Sequence, residues 1–257
     1  MSSDTQNAGH HHGHHGHHHH HHHEHQAALP ENIQGDIAAA NKAHFDAHAH
    51  SYDATRTFWK SRRTAIVEAV PFSKETTTVL EYACGTGLVS NELIQHAKSL
   101  VGVDISEGMI TQFRNRFEKQ GLPSDKVKGV CQELKGEDGE LEGAKFDVVV
   151  ASLVSCSMAY HHFDPSTLQR TTDILASVLK PGGYLAIVDN EPDAQGREMY
   201  QGVDKAALGH QTGFSREHMD RLFTGAGLST RSYNHLTKFE VRGTEHSTFL
   251  ATAQKPE

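Results

Sequence analysis

The chain has 257 residues, 36% of them hydrophobic, with 32 acidic against 24 Lys and Arg side chains and a formal net charge of −8. That length suits one domain of ordinary size with a tail, and the acidic balance argues against a nucleic-acid-binding surface, whose footprint is basic. Three cysteines (Cys84, Cys131, Cys156) without CxxC spacing argue against a disulfide framework or a zinc cluster, and no apolar run nears the ~20 residues of a membrane span. The N-terminus "MSSDTQNAGHHH" lacks a charged-then-apolar leader. A soluble protein of the cytoplasm or nucleus is the expectation.

Residues 1–40 are polar and histidine-filled, and positions 10–25 alone carry 13 histidines. Such a segment buries too little apolar surface to offset its ordering entropy, and reads as a disordered tail. It is an expression tag, a low-complexity tail without a specific task, or a loose binder of metal ions or protons. None of these fixes the geometry of a catalytic metal site. From Asn41 to Glu257 the chain reads as one domain. Phe45, Ala49, Tyr52, Trp59, Ile66, Val67 and Val70 recur at near-helical spacing, predicting one or two helices stopped at Pro71. Strand "TTVLEY" then leads to helix "LVSNELIQHA", and strand "SLVGVDI" to helix "EGMITQFRNRFEKQ", closed by Gly121. Strand "KVKGVCQ" precedes an acidic loop, "KGEDGELEGA". Strand "KFDVVVASL" precedes a helix through "PSTLQRTTDILASVLK", with Asp164 as N-cap and Pro165 at the first helical position. "PGG" turns the chain into strand "YLAIVDN", and helix "SREHMDRLFTGAG" precedes two β-like runs expected to pair antiparallel. Strands alternating with helices imply a parallel sheet covered on both faces. "VVV" and "LAIV" are continuously apolar, as such buried strands should be.

In open α/β sheets, ligands bind at the carboxyl ends of the strands where the strand order reverses. The first strand–loop–helix, "TTTVLEYACGTGLVSNEL", is therefore the expected site. Gly85 and Gly87 give GxG, and Asp104 ends the second strand, where a carboxylate can accept from both ribose hydroxyls. A dinucleotide site needs a third glycine and a pyrophosphate on the helix N-terminus; here the third position is Ser90, and Glu81 sits at the loop mouth. A carboxylate there repels phosphate and favours the ammonium and sulfonium of S-adenosylmethionine (SAM).

These residues resemble the class I SAM-dependent methyltransferases, especially the ubiquinone-biosynthesis-like branch. The glycine motif (D/E)xGxGxG is matched as Glu81-Tyr82-Ala83-Cys84-Gly85-Thr86-Gly87, and Asp104 matches the acid closing the second strand. "FDAHAHSYD" is similar to the N-terminal helix that lids the cofactor, and "KFDVVVASL", "LKPGGYLAIVD" and the ending "TFLATAQKP" follow in family order. The resemblance covers roughly residues 42–255. It implies a Rossmann-like, mostly parallel seven-stranded sheet with an antiparallel terminal strand and helices on both faces. It also implies SAM as cofactor and no bound metal. Ala83 departs from the pattern: at negative φ alanine fits without strain, while at positive φ it is costly.

By the same resemblance Glu81 anchors the methionine end, Asp104 binds ribose, and Ala83, Cys84, Gly85, Thr86 and Gly87 form the cofactor loop. Ile105 and Met109 follow on the same wall, Gln132 or Glu133 reaches the adenine, Ser152 and Leu153 line the cofactor, and Tyr52 closes over it. Tyr160, His161 and His162, after the fourth strand, and His210, on the lid side, are the candidates for proton acceptor or substrate contact. The expected activity is methyl transfer to a small molecule, possible acceptors being a secondary metabolite or a quinone-like compound. One rival is a protein methyltransferase acting on histones or other nuclear proteins, as among fungal regulators of secondary metabolism, a setting that a His-rich tail would suit. The other is a non-catalytic SAM-binding subunit that steadies a regulatory partner.

Overall fold

The computed structural model describes residues 37–51, 60–152, 160–192, 213–241 and 244–257. Its strands are β1 Thr78–Tyr82, β2 Ser99–Asp104, β3 Val127–Cys131, β4 Phe146–Ser152, β5 Leu179–Asn190, β6 Ser229–Val241 and β7 Thr244–Gln254. They form one sheet in the order β3-β2-β1-β4-β5-β7-β6. β7 runs antiparallel to both neighbours, and the remaining pairings are parallel. The helices are α1 Ile37–His48, α2 Lys60–Ala69, α3 Ser90–Leu93, α4 Glu107–Lys119, α5 Leu168–Ser177 and α6 Arg216–Gly225. No helix among the described residues is long and apolar enough to cross a membrane.

Both sheet faces are apolar because both are covered. Val79, Val148 and Val150 pack with Ile66, Leu93, Ile110 and Phe113 on one side. Leu80, Val149 and Leu185 pack with Phe45, Leu175, Leu222 and Phe223 on the other. α4 shows why such a sequence is helical: Met109, Ile110, Phe113 and Phe117 are its buried stripe. The Ser106 hydroxyl caps it by accepting from the Met109 N–H, and Gly121 ends it at φ +69°. Phe113 lies across a platform of glycines. A Cβ at Gly87, Gly102 or Gly129 would come within 2.8, 2.5 and 2.8 Å of its ring, respectively.

Three boundaries differ from the pattern reading. Among the described residues the first helix is already formed at Ile37, ahead of Asn41, with Ala40 fully buried. The helix through "LVSNELIQHA" keeps α geometry over only four residues and continues in tighter turns, Gln95 to Glu92 and His96 to Leu93. The fifth helix starts at Leu168, not Pro165. Asp164 caps a preceding turn instead, its carboxylate accepting from the Ser166 N–H and hydroxyl and its carbonyl from the Thr167 N–H. β5 opens opposite Phe146 at Leu179, loops out through Gly182 (φ +74°), and rejoins β4 at Tyr184 opposite Val148.

Candidate active site

The strand order reverses between β1 and β4, which both pair in parallel. The carboxyl ends of these two strands are therefore where a ligand crevice is expected. The chain leaves β1 at Tyr82 into the loop Ala83–Gly87, whose Cys84 N–H donates to the Val103 carbonyl at 3.0 Å. This bond ties the loop to the end of β2, where Asp104 is buried at 3% exposure. The Asp104 carboxylate accepts from the Gly85 N–H and the Ser106 N–H, both at 2.9 Å. Burial pushes its pKa up from 3.8 to about 6, against the lowering effect of those backbone donors. Cys84 is fully buried beside it, its thiol pushed well up by desolvation, which keeps it protonated and a poor nucleophile.

Glu81 is fully buried beneath the loop and accepts the Ser90 hydroxyl. Serine at the third glycine position of a dinucleotide loop thus has a task, joining the end of β1 to α3. Gly85 and Gly87 have φ of +54° and +81°. Thr86 is buried, and its carbonyl accepts from Arg116 Nε at 2.8 Å. Ala83 stands at φ +60°, the costly case. Replacing it with glycine removes about 1–2 kcal/mol of left-handed strain and restores about 0.5–1 kcal/mol of unfolded-state entropy. Urea unfolding of Ala83→Gly is therefore expected to show a net gain of about 0.5–1 kcal/mol; a loss of stability would count against strain at this position.

A cleft of about 500 Å³ lies against these strand ends. Tyr82, Ile105, Leu134 and Phe163 line it, with Ile37, Ala38 and Asn41 of α1 as one wall. It separates the two adenine candidates. Glu133 lines the cleft, whereas Gln132 lines a different groove with Lys128 and Glu140. Of the two, Glu133 is the one that borders this cleft. Met109 is fully buried in the core beneath the same wall.

The catalytic candidates divide. Tyr160 is fully buried among Phe163 and Phe214, its hydroxyl 3.1 Å from that of Thr172. Burial raises its pKa, and a protonated, hydrogen-bonded core phenol is not a proton acceptor: this reading is corrected. His161, 1% exposed, has Nδ1 2.9 Å from Asp189 Oδ1, and its N–H donates to Asp189 Oδ2 at 3.2 Å. His162 follows in the short 3-10 turn Tyr160–His162, and Ser152 ends β4 opposite Val188; the side chains of both lie outside the described residues. So do Tyr52, Leu153 and His210 entirely.

Two carboxylates were not picked out from the sequence. Asp189 carries the same signal as Asp104, an acid closing an apolar strand, in "YLAIVD". Asp46 of α1 accepts from the Ser106 hydroxyl at 2.6 Å and the Gly108 N–H at 3.0 Å. Its only sequence signal was a place in the lid stretch.

Comparison with known proteins agrees with this arrangement. Residues 79–183 match the family described as "Methyltransferase domain". An uncharacterized methyltransferase of Schizosaccharomyces pombe is 33% identical over 167 residues, 62% of this chain and 55% of that protein. A ubiquinone biosynthesis O-methyltransferase of Coxiella burnetii is 33% identical over 108 residues, 42% of this chain and 41% of that one. The chain thus spans about half the length of the curated relatives it matches. Among solved structures, the 1,6-didemethyltoxoflavin-N1-methyltransferase of Burkholderia thailandensis, with that compound and S-adenosylhomocysteine bound, superposes with a TM-score of 0.62 at 18% identity, covering 90% of this chain and 94% of its own. An N-methyltransferase of Bradyrhizobium japonicum in complex with S-adenosylhomocysteine gives 0.59 at 16% identity, with 86% and 99% covered. The sheet order, the glycine loop, the strand-end acid and the matched domain agree: residues 79–183 carry a methyltransferase domain, on the fold of SAM-dependent methyltransferases.

Proposed function

We propose that the protein transfers the methyl group of SAM to a small-molecule acceptor. The observation that carries this reading is the pair of buried strand-end carboxylates, Glu81 and Asp104, on either side of a glycine loop whose third glycine is replaced by a serine bonded to Glu81. Two carboxylates disfavour a pyrophosphate and favour a cationic ligand bearing a ribose. The loop fits such a ligand: Gly85 and Gly87 turn it at positive φ, and the buried Asp104 carboxylate is held against it by the Gly85 N–H. Bound there, SAM supplies an electrophilic methyl on a sulfonium with a neutral leaving group. Asp104 and the loop hold the ribose, Glu133 and Ile105 border the adenine end of the cleft, and α1 excludes water from it. Holding the acceptor in line is the remaining task, and positioning alone can supply about 7–11 kcal/mol. Where the acceptor carries a proton, the base proposed for it is His161, whose Nδ1 lies 2.9 Å from Asp189 Oδ1.

The small molecule bound in the Burkholderia neighbour supports a small acceptor. The net charge of −8 supports a protein without a nucleic-acid partner, and three cysteines without CxxC spacing support a reducing compartment such as cytoplasm or nucleus. The test uses methyl-labelled SAM and the purified protein in cell extract, separated afterwards into small-molecule and macromolecular pools. Label is expected in the small-molecule pool. Label in protein would replace this reading with a protein methyltransferase, and failure of the wild-type chain to bind SAM in a direct titration would replace it with a degenerate subunit.

A further inference from the structure

Besides the packing of Phe45 in the core, the side chain of Asp46 ties α1 to the cofactor wall. Asp46 lies on α1, yet its carboxylate sits at the N-terminus of α4, where it accepts from the Ser106 hydroxyl at 2.6 Å and the Gly108 N–H at 3.0 Å. Oδ2 of the same carboxylate also accepts from Lys42 Nζ at 2.6 Å. That pair is half exposed on the lysine side, and exposed i,i+4 pairs contribute little. The two bonds to α4 are different in kind. They are charge-assisted, and they place a negative group at the positive end of a 13-residue helix.

Ser106 joins this contact to the site. Its N–H donates to Asp104, its hydroxyl donates to Asp46, and the same oxygen accepts from the Met109 N–H to cap α4. The two donors of this buried residue are thus directed, the N–H toward the strand-end acid and the hydroxyl toward the helix that walls the cleft. Gly108 makes the approach possible. A Cβ there would lie 3.1 Å from the Ala49 Cβ and 3.2 Å from the Asp46 Cα and carbonyl oxygen. The glycine has ordinary helical backbone, so what it provides is space for α1.

We infer that Asp46 is a positioning residue for SAM: it latches α1 across Ser106 and Gly108, so that the helix walling the cleft and the loop presenting Asp104 are set as one unit. α1 contributes Ile37, Ala38 and Asn41 to the cleft opposite Leu134. Releasing the latch leaves Asp104, the glycine loop and the sheet in place, and opens that wall alone. The inference rests on the SAM reading of the site, and its failure is distinguishable from failure of that reading.

The experiment measures SAM affinity and dissociation rate for the wild-type chain, Asp46→Asn, Asp46→Ala and Gly108→Ala, together with hydrogen exchange of the α1 backbone. Asp46→Ala is expected to weaken SAM roughly tenfold, mainly through faster dissociation, with quicker exchange over residues 37–48 and little change in the strands. Asp46→Asn keeps an accepting oxygen without the charge and should fall between the two. Gly108→Ala, with every latch group intact, should reproduce the loss by wedging α1 outward. In a Ser106→Ala background, Asp46→Asn should add less than it costs alone. SAM affinity and dissociation within twofold of wild type in both Asp46→Ala and Gly108→Ala would overturn the latch. Exchange that quickens across the sheet as well as α1 would also overturn it, in favour of a general packing role. A wild-type chain that does not bind SAM would overturn the reading of the site instead.

Discussion

Asp104→Ala is expected to weaken SAM binding at pH 7 by at least about 100-fold while changing stability little. The binding loss arises because the ribose loses its acceptor and the glycine loop loses the carboxylate that holds its Gly85 N–H, while the orphaned Gly85 and Ser106 donors cost stability, at about 1–3 kcal/mol each. The stability terms oppose one another. The carboxylate is buried, with a pKa of about 6 against 3.8, so holding it ionised in the folded protein costs about 3 kcal/mol at neutral pH. Removing it relieves that cost while orphaning the two donors. The sign with pH follows from the raised value. The contribution of Asp104 to stability is fully present below about 4 and is lost as pH rises through about 6. SAM affinity runs the other way, because ribose hydroxyls donate to the ionised form. Calorimetric titration at pH 5 and pH 7.5 should show tighter binding at the higher pH in the wild-type chain. The Asp104→Ala protein should lose that difference along with most of its affinity. Wild-type binding with no change across pH 6 would remove Asp104 from the ribose contact.

Phe113→Ala is expected to lower the free energy of unfolding by about 3–5 kcal/mol, the range for a buried aromatic whose loss leaves a cavity. The ring is 1% exposed, and the three glycines beneath it have no side chains to collapse into the space. The converse change, Gly102→Val, puts atoms where a Cβ alone would lie 2.5 Å from the ring and 2.9 Å from Cys84 Sγ, and overpacking should cost about 1–3 kcal/mol or more. Chemical denaturation measures both. A change below about 1 kcal/mol for Phe113→Ala would mean that the ring does not seat α4 on the sheet. Because Gly87 is part of the platform, SAM affinity should fall alongside stability in both variants. The glycine loop is held from below by Phe113 as well as from the side by Asp104.

The departures from sequence expectation share a physical origin. Asp104 and Asp189 announce themselves identically, as acids closing apolar strands, yet one faces the glycine loop and the other holds His161. Which partner each meets depends on the neighbouring strand, and strand order is not written in either segment. Tyr160 and His161 are adjacent in sequence, but one fills the core and the other meets a carboxylate. The turn that separates their directions is set by packing against β5. Gln132 and Glu133 are adjacent in sequence but border different grooves, Glu133 the cleft at the strand ends and Gln132 the one beside Lys128 and Glu140. Ala83 was visibly unusual, but its cost depended on φ, which the loop's closure onto Val103 decides.

The sequence by itself determined the alternation of strands and helices, the antiparallel ending, the glycine loop with its flanking acids and, through charge, the preference for a sulfonium nucleotide over a pyrophosphate. Those features are local: periodicity, turn chemistry and the sign of a side chain act over a few residues. Only the tertiary structure decided that Ser90 serves Glu81, that three glycines from separate segments make a seat for Phe113, and that Asp46 reaches Ser106 across 60 positions of chain. Contacts between distant segments depend on the order in which strands lie side by side and on which faces their helices cover. No short stretch of sequence carries that information.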